Sequence, residues 1–502
     1  MEQKAEEKET ALNLCLRKSI FYPAAEIYAN SPSGFYDFGP VGERIRRKVV
    51  GEWRRRMVES EGMLEILGAQ ILPEEVFRAS GHLENFSDPI VQCVKCHSIY
   101  RADKLIEEKT GHAFPEATGE KQMKAELEKL KIVCPKCKGA LGEVRKFNMM
   151  MKVDVGATGN QPCYLRPETC QSIFLDFSRI YKTMRVSLPV GVAQAGASFR
   201  NEISPRNALL RVREIGQMEI EVFFDADKIN EVARFEEVAD YNVSVLRIGK
   251  EKPELVAAKE LAEKKIVSGK LVAYYLARAQ QFYEGLGFAV EKMRFRELEK
   301  EARAFYAKET WDFEVLTEQG WIELSANNYR TDYDLKGHSK QSKQDLGVNE
   351  NGKKILPHVY EISTGIDRSV YAIIDNSLRE EEKKGEKRVF LSLPIEVAPF
   401  LCAVFPLVNK EGIDEKAKGF YAELRAFGID ATYDDKASIG RRYARVDEIG
   451  VPFAITFDYD SLKDGTVTIR ERDSTAQKRV KIAGLPERLW RLGLAKLRFE
   501  EL

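Results

Sequence analysis

The sequence predicts an α+β fold in several domains, and three features carry that expectation. Strand-like segments with charges at period two lie beside long helical stretches. Two Cys-x-x-Cys pairs bracket a polar segment. Residues 389–502 alternate strand and helix. A chain of 502 residues exceeds what one core organises, so roughly two to four domains are expected.

The 44% hydrophobic and 31% charged composition excludes a disordered or fibrous protein. Lys plus Arg and Asp plus Glu are both 79, which excludes a globally basic nucleic-acid binder such as a DNA-coating protein and leaves room for local patches. The first ten residues are polar and carry no signal-peptide core. The longest apolar run, Pro399 to Val408, is broken by Pro406 and is too short for a bilayer. A cytoplasmic protein with no membrane partner is expected.

Residues 1–89 open with turn chemistry at Asn30 to Gly34 and Gly39 to Gly42. A helix follows, with Ile45, Val49, Trp53 and Met57 at steps of four and Arg or Lys between them. Residues 90–142 hold Cys93, Cys96, Cys134 and Cys137. Each pair offers two thiolates from one tight turn, and together they make a closed four-sulfur site. Zinc and a rubredoxin-like iron share this spacing. A closed site has no open position, so the metal is read as structural. His97 is read as a surface residue.

Residues 143–376 hold most of the Gly-, Arg- and Glu-rich segments. Their middle, 226–309, is rich in Ala, Glu, Lys and Leu and reads as mostly helix. The charged run within 377–388 reads as a solvated helix end and linker. Residues 389–502 then read as a small α/β domain.

The densest chemistry runs from Phe199 to Phe224. Arg211 and Arg213 share one face, with Val212 opposite. Glu219 and Glu221 share a face, while Met218, Ile220 and Val222 take the other. Two antiparallel strands joined around Ser204 to Ala208 would line a floor with Arg and Glu. Such a floor suits phosphates on one side and an ammonium on the other.

FRNEISPR, continued by LLRVRE, resembles motif 2 of class II aminoacyl-tRNA synthetases, in the form found in glycine–tRNA ligases. GFYDFGPVGERIRRKVVGEW resembles motif 1, and EISTGIDRS resembles motif 3. LRPETCQ, GWIELSANNYRTDYDL and SIGRRYARVDEIGVPF resemble further segments of the same enzymes, the last in their anticodon-binding domain. The matches keep their order from about Lys18 to Val480. Ile362 stands where motif 3 often has proline.

The resemblance implies a homodimer that uses ATP and Mg2+ to join glycine to tRNA, on an antiparallel sheet flanked by helices, with a zinc-ribbon insertion. It implies Arg200 on the α-phosphate, Glu202 on the adenine amino group, Arg211 on the γ-phosphate and Arg368 against the adenine. Asn201, Leu210, Val212, Arg213, Glu214, Ile215, Leu324, Gly365, Ile366 and Asp367 complete the implied ATP set, and Glu323 is the implied Mg2+ ligand. Glu168, Glu219 and Glu361 would surround the ammonium of glycine. Arg330 would take its carboxylate, Ser363 would lie near Cα, and Arg101 and Gln217 would complete that subsite. For tRNA, Arg441, Arg442 and Arg445 are implied near the anticodon, with Tyr433 and Tyr443 available for stacking. Part of the basic helix surface, Arg44 to Lys48 and Arg54 to Arg56, reads as solvated.

A glycine carboxylate is already ionised, so its attack on ATP needs positioning and charge neutralisation and no general base. A histidine base is not expected. Two rivals are a sister ligase for a larger amino acid and a synthetase-like nucleic-acid binder without catalysis. Glu168, Glu361 and Ser363 argue against the first. The intact set Arg200, Glu202, Arg211, Glu323 and Arg368 argues against the second.

Overall fold

The computed structural model describes residues 9–112, 114, 118–159, 161–203, 205, 208–383 and 385–502. Ser204, Arg206 and Asn207, in the loop expected between the two charged strands, lie outside the described residues.

The catalytic-size domain is built on one nine-stranded sheet. In chain order its strands are β1 (Leu64–Glu65), β2 (Val190–Phe199), β3 (Glu214–Phe224), β4 (Asn242–Leu246), β5 (Glu254–Ala257), β6 (Met293–Glu297), β7 (Glu309–Thr317), β8 (Gly320–Thr331) and β9 (His358–Gly365). Their spatial order is β5-β4-β6-β7-β8-β9-β3-β2-β1. All neighbours are antiparallel except β4 with β6 and β2 with β1.

Register sorts the side chains into two faces, because directly opposed residues share a side. Gln194, Glu219 and Ser363 are opposed across β2, β3 and β9, and Glu221 is opposed to Glu361. Ser363 is opposed to Ala326 of β8, which is opposed to Asp312 of β7, which is opposed to Arg296 of β6. One face is therefore a polar floor. The other carries Met218, Ile220, Val222, Ile362, Phe313, Val315, Met293 and Phe295, all buried in the main core. Four helices frame the sheet: α1 (Pro40–Trp53), α2 (Gln171–Met184), α3 (Lys270–Glu284) and α4 (Ile366–Ser377). The core of the apolar face takes in residues of α1, α3 and α4, and Tyr283 of α3 stacks on Phe313 with ring centroids 4.5 Å apart. The expected motif 1 stripe, Ile45, Val49, Trp53 and Met57, is buried there. Helix α2 covers the far end of the polar face, where Phe177 stacks on Phe223 at 3.7 Å.

Three sequence expectations are corrected. Residues 226–309 are not mostly helix: β4, β5 and β6 extend the sheet, and only α3 is long. The alternation Val243/Val245 and Met293/Phe295, all at 0% exposure, was short enough to be hidden by helix-favouring composition. The 377–388 segment is not a linker helix. Strands Leu378–Lys383 and Glu386–Leu391 pair as a hairpin, with Arg388 on Glu381 at 2.7 Å and Lys387 on Glu380 at 3.0 Å. Opposite charges directly across a ladder favour that pairing. Arg211 and Arg213 precede β3 and lie in a loop. The Arg213 amide donates to Gly34 O at 2.7 Å and its carbonyl accepts from the Arg200 amide at 2.9 Å. Gly34, at φ +86°, leaves the space where a Cβ would come within 2.6 Å of Pro205.

The ribbon is a separate three-stranded sheet, Ile99–Arg101 beside Ser87–Cys93 beside Leu141–Asn148, packed on helices Ala102–Thr110 and Glu120–Lys129. The C-terminal domain has a five-stranded sheet with three parallel and two antiparallel strands and its own core, as the alternation implied. It is tied to α1 through Asp430, which accepts from Arg44 at 3.0 Å and Lys48 at 3.2 Å. Among the described residues, no helix is long and apolar enough to cross a membrane.

Ile220 lies at 0% exposure on the apolar face, whereas Leu255 on the edge strand is 59% exposed. Ile220→Ala is expected to cost about 2–5 kcal/mol in denaturant unfolding, and Leu255→Ala less than about 0.5 kcal/mol.

Candidate active site

The floor places three glutamates around one hydroxyl. Glu219 accepts from Thr169 Oγ1 at 2.5 Å and from Ser363 Oγ at 2.6 Å. Gln217, two residues earlier on the same face, points Nε2 at Ser363 Oγ at 3.5 Å. Glu361 accepts from Arg330 Nη1 at 2.5 Å. Glu168, on the loop before α2, sits 3.4 Å from His82 Nε2, 3.8 Å from Arg200 Nη2 and 3.9 Å from Arg330 Nη1. All three carboxyls are buried.

Their environments drive them apart. Burial pushes Glu361 up to about 8 against the pull of Arg330. Burial and the neighbouring Glu168 raise Glu219, with the two hydroxyls opposing. Burial also works against ionisation of Glu168, but His82, Arg330 and Arg200 hold it below the usual carboxylate range. The floor therefore carries one firmly ionised carboxylate, Glu168, beside two that burial raises and an incoming cation would lower.

Arg330 does not present an open fork. Its Nε and Nη2 donate to Asp334 at 2.7 and 2.8 Å and its Nη1 to Glu361, while Tyr306 lies against its plane at 3.6 Å. At 0% exposure it braces Glu361. Arg200, 28% exposed and over the Phe86 ring, is the accessible cation beside the glutamates.

A second cluster lies at the motif 2 loop. Arg211 donates to Glu202 through Nε at 2.7 Å and Nη2 at 2.6 Å. Arg213 donates to Ser33 O at 2.7 Å and Glu202 O at 3.0 Å, so it fixes the loop. The Asn201 amide donates to Met149 O at 2.8 Å. Arg368, in the first turn of α4, donates to Leu210 O at 3.0 Å and Glu323 O at 3.1 Å and lies 3.3 Å from the Glu323 carboxylate. Gly365 is opposed to Gln217, and Asp367 accepts the Gly216 amide at 2.7 Å. Leu324 and Ile366 turn their side chains into the core, as Val212 is also buried, so only their main chains can reach a ligand. Glu214 and Ile215 begin β3. Asp312 and Glu314 share the floor with Glu323, and burial with the Glu323 charge pushes Asp312 up to about 8. Such oxygens suit a Mg2+ ion that arrives with phosphates.

Cys93, Cys96, Cys134 and Cys137 converge, with all four sulfurs within 4.8 Å of one another. Pairs stand 3.5 Å (Cys93–Cys137) and 3.6 Å (Cys96–Cys134) apart, near the ~3.8 Å edge of a tetrahedral zinc–thiolate site. A Cβ at Gly139 would press within 3.2 Å of two of those sulfurs, so glycine keeps the cradle open. The set fits a closed structural metal. Arg101 pairs with Asp88 at 2.9 Å, and Asp88 lies 3.8 Å from Arg211, which links the ribbon to the motif 2 cluster.

Sequence reasoning missed several members. His82 was passed over because it lies outside the recognised motifs, although Ser80 Oγ bonds its Nδ1 at 2.8 Å and aims the ring at Glu168. Thr169, Tyr306 and Asp334 buttress the glutamates. Arg166, 1% exposed, lies over Gly196 and donates to Ala197 O at 2.8 Å. Of the anticodon candidates, only Arg441 stays exposed. Arg442 is buried and bonded to the carbonyls of Pro406, Asp435 and Ala437. Arg445 is held by Asp434, Tyr443 by Thr456 Oγ1 at 2.7 Å, and Tyr433 has a buried hydroxyl. The basic run of α1 is also largely paired, with Arg54 on Glu65 at 2.8 Å and Arg56 on Glu52 at 2.8 Å.

Residues 152–377 match the tRNA synthetase class II core domain (G, H, P, S and T), and residues 401–492 match the Anticodon binding domain. The chain is 36% identical to the glycine–tRNA ligase of Methanothrix thermoacetophila over 94% of both chains. It is 36% identical to that of Methanocaldococcus jannaschii over 96% of this chain and 98% of the relative. For Pyrococcus abyssi the identity is 36% over 97% and 99%.

Glu221 lies between Glu219 and Phe223 on the polar face at 0% exposure, and neither carboxyl oxygen has a hydrogen-bond partner. Burial and the facing Glu361 raise it well above the usual range, which favours its neutral form. A raised carboxyl stabilises fully below its unfolded pKa and loses that stability as pH rises toward the folded value. Glu221→Gln is therefore expected to gain stability on the wild type progressively as pH rises above the unfolded carboxyl value of about 4.3, by up to about 1.4 kcal/mol per pH unit, in calorimetric melts. A stability difference independent of pH would mean that Glu221 is ionised in the native state.

Proposed function

From the premise that the chain belongs to the glycine–tRNA ligase family of class II tRNA synthetases, we propose that its polar floor is a glycine-activating site. The protein joins glycine to tRNA at the expense of ATP, with Mg2+ accompanying the phosphates. The observation that carries the residue reading is the buried trio Glu168, Glu219 and Glu361 around Ser363, next to the accessible Arg200. Three carboxylates in a dry site favour a small cation over an apolar side chain.

Glycine's ammonium enters among the three glutamates, where its charge favours their ionised forms. Its carboxylate turns toward Arg200, since Arg330 is occupied in bracing Glu361. Beyond Cα the neighbours on the floor are Ser363 and, opposed to it, Ala326 and Glu219, so a larger amino acid has to displace bonded groups. The carboxylate oxygen attacks the α-phosphorus, the bond to the β-phosphate oxygen breaks, and pyrophosphate leaves with the electron pair. Arg200, Arg211 and Arg368 neutralise charge that builds on the phosphates. Glu323, with Asp312 and Glu314 near, would hold the Mg2+, which supplies charge neutralisation at the phosphates. A ribose hydroxyl oxygen at the 3′ end of tRNA then bonds to the glycyl carbonyl carbon. The bond from that carbon to the phosphate oxygen breaks, and AMP leaves with the electron pair and takes up the hydroxyl proton. The far end of the tRNA meets the C-terminal domain through surfaces that include Arg441.

The four-cysteine set is read as a zinc site, the enzyme as a homodimer through its motif 1 region, and its place as the cytoplasm. The thiolate spacing supports the first and the family resemblance the others.

The test is charging of glycine tRNA with labelled glycine. The wild type is expected to charge it, and Arg368→Ala is expected to lose about 100-fold or more at an unchanged melting temperature. Near-normal charging by that variant would remove Arg368 from the phosphate site. A folded wild type that binds tRNA and charges nothing would favour a non-catalytic binding protein.

A further inference from the structure

Glu168 is the carboxylate of the floor that stays ionised, and what stands behind it decides where its oxygens point. Oε1 accepts from Tyr306 Oη at 3.3 Å and lies 3.8 Å from Arg200 Nη2. Oε2 faces His82 Nε2 at 3.4 Å, with Cys170 Sγ at 3.5 Å and Arg330 Nη1 at 3.9 Å beside it. Tyr306 and Arg330 also brace one another, and Arg200 also donates to Pro167 O. The imidazole is committed differently. Ser80 Oγ meets its Nδ1 at 2.8 Å, and its Nε2 is turned to Glu168. At 1% exposure the ring is closed off from solvent, with the rings of Phe77, Phe86 and Phe305 around it at 6.5, 5.6 and 5.8 Å.

The two ring nitrogens are distinct, and the partner of one fixes the proton on the other. Ser80 Oγ is buried, and the other acceptor in its reach, Phe77 O, is 3.5 Å away, so its hydroxyl hydrogen goes to Nδ1. A carboxylate offers no hydrogen, so Nε2 carries the ring proton and turns it to Glu168. At 3.4 Å this contact is longer than a full hydrogen bond. It orients the carboxylate without saturating it, and Oε2 keeps lone-pair capacity for an ammonium. The turn that carries His82 is fixed in its own right. Gly81, at φ +79°, lets it pass Tyr333, whose Oη a Cβ would approach to 2.8 Å, and Asn148 Nδ2 donates to Leu83 O at 2.9 Å. Phe86 meets the imidazole on one side and carries the Arg200 guanidinium over its face at 5.5 Å. One aromatic ring therefore separates the support of the ammonium site from the cation beside it.

We propose that His82 is a positioning residue for glycine binding: with Ser80 setting its tautomer, its Nε2 holds Glu168 in the orientation that receives the ammonium. The inference rests on the reading of Glu168 as an ammonium contact in glycine activation. His82 touches no substrate and passes no proton. Its influence falls on the affinity for glycine, because ATP is held elsewhere, at the motif 2 loop and Arg368.

The experiment is glycine-dependent ATP–pyrophosphate exchange with the full chain, comparing His82→Phe, His82→Gln and Ser80→Ala with the wild type. His82→Phe fills the aromatic enclosure but removes the donor. It is expected to raise the KM for glycine about ten-fold or more, with the KM for ATP within about two-fold. His82→Gln restores an N–H donor of similar reach and is expected to bring the KM for glycine back to within about three-fold of the wild type. Ser80→Ala removes one buried oxygen and is expected to raise it about three-fold, which keeps the inference testable where His82→Phe does not fold. A wild-type KM for glycine in both His82→Phe and Ser80→Ala would overturn the role of His82 and leave glycine activation standing. Equal losses in folded His82→Phe and His82→Gln, or equal rises in the KM for glycine and for ATP, would make His82 a packing residue and overturn it too. Absence of glycine-dependent exchange in the wild type would overturn the activation reading itself, and the inference with it.

Discussion

The site depends on one buried cation. Arg330 is fully enclosed and spends its fork on Asp334 and its remaining nitrogen on Glu361. Glu168, Glu219 and Glu221 lie in the same enclosure. Removing one partner of a buried pair leaves an uncompensated charge, at a cost of about 3–5 kcal/mol. Without Arg330, Glu361 would lose the guanidinium that opposes its burial, and Glu168 would keep only His82 and Arg200. The position of Arg330 is set by register: β8 runs beside β9, and the shift between Tyr329 and Thr331 leaves Arg330 without an opposed residue before pairing resumes at Thr331 with Val359.

The two-faced sheet makes such a concentration of charge tolerable. One face is apolar and closed by α1, α3 and α4, so the stability of the domain is carried there. The other is free to hold the charged groups that the chemistry requires. The same elements serve both sides. Helix α4 buries Val370, Ile373 and Ile374 in the core, while its first turn presents Arg368 to the floor and fixes Asp367 to the Gly216 amide. Helix α1 packs Ile45 and Val49 and sends Arg44 and Lys48 to Asp430 of the C-terminal domain. Position in the anticodon-binding domain is thereby joined mechanically to the helix beneath the site.

Much of this was legible in the sequence where a side chain's role is periodic or covalent. Alternation in β3 separated Glu219 and Glu221 from Met218, Ile220 and Val222, and the Cys-x-x-Cys spacing brought four sulfurs together. Three kinds of information were not. Short alternations such as NVSVL lie within helix-favouring composition, and only pairing with the sheet edge selects the strand. A residue's partner is not written in its own motif: the Arg330 fork is taken by Asp334, four residues on, and the Arg442 guanidinium by the carbonyls of Pro406, Asp435, Lys436 and Ala437. Residues that the motif reading does not single out, such as His82 outside the quoted segments and Arg166 within LRPETCQ, become members of the site only through the fold. A Ser-x-His pair just before a polar strand was the one local signal for His82.

The central claim is that a buried carboxylate floor selects the smallest amino acid by its ammonium and by the absence of space beyond Cα. Its most direct test is ATP–pyrophosphate exchange with each of the twenty amino acids, using purified protein and Mg2+. Exchange with glycine alone is the predicted result. Exchange that proceeds comparably with alanine, or better with a larger amino acid, would contradict it.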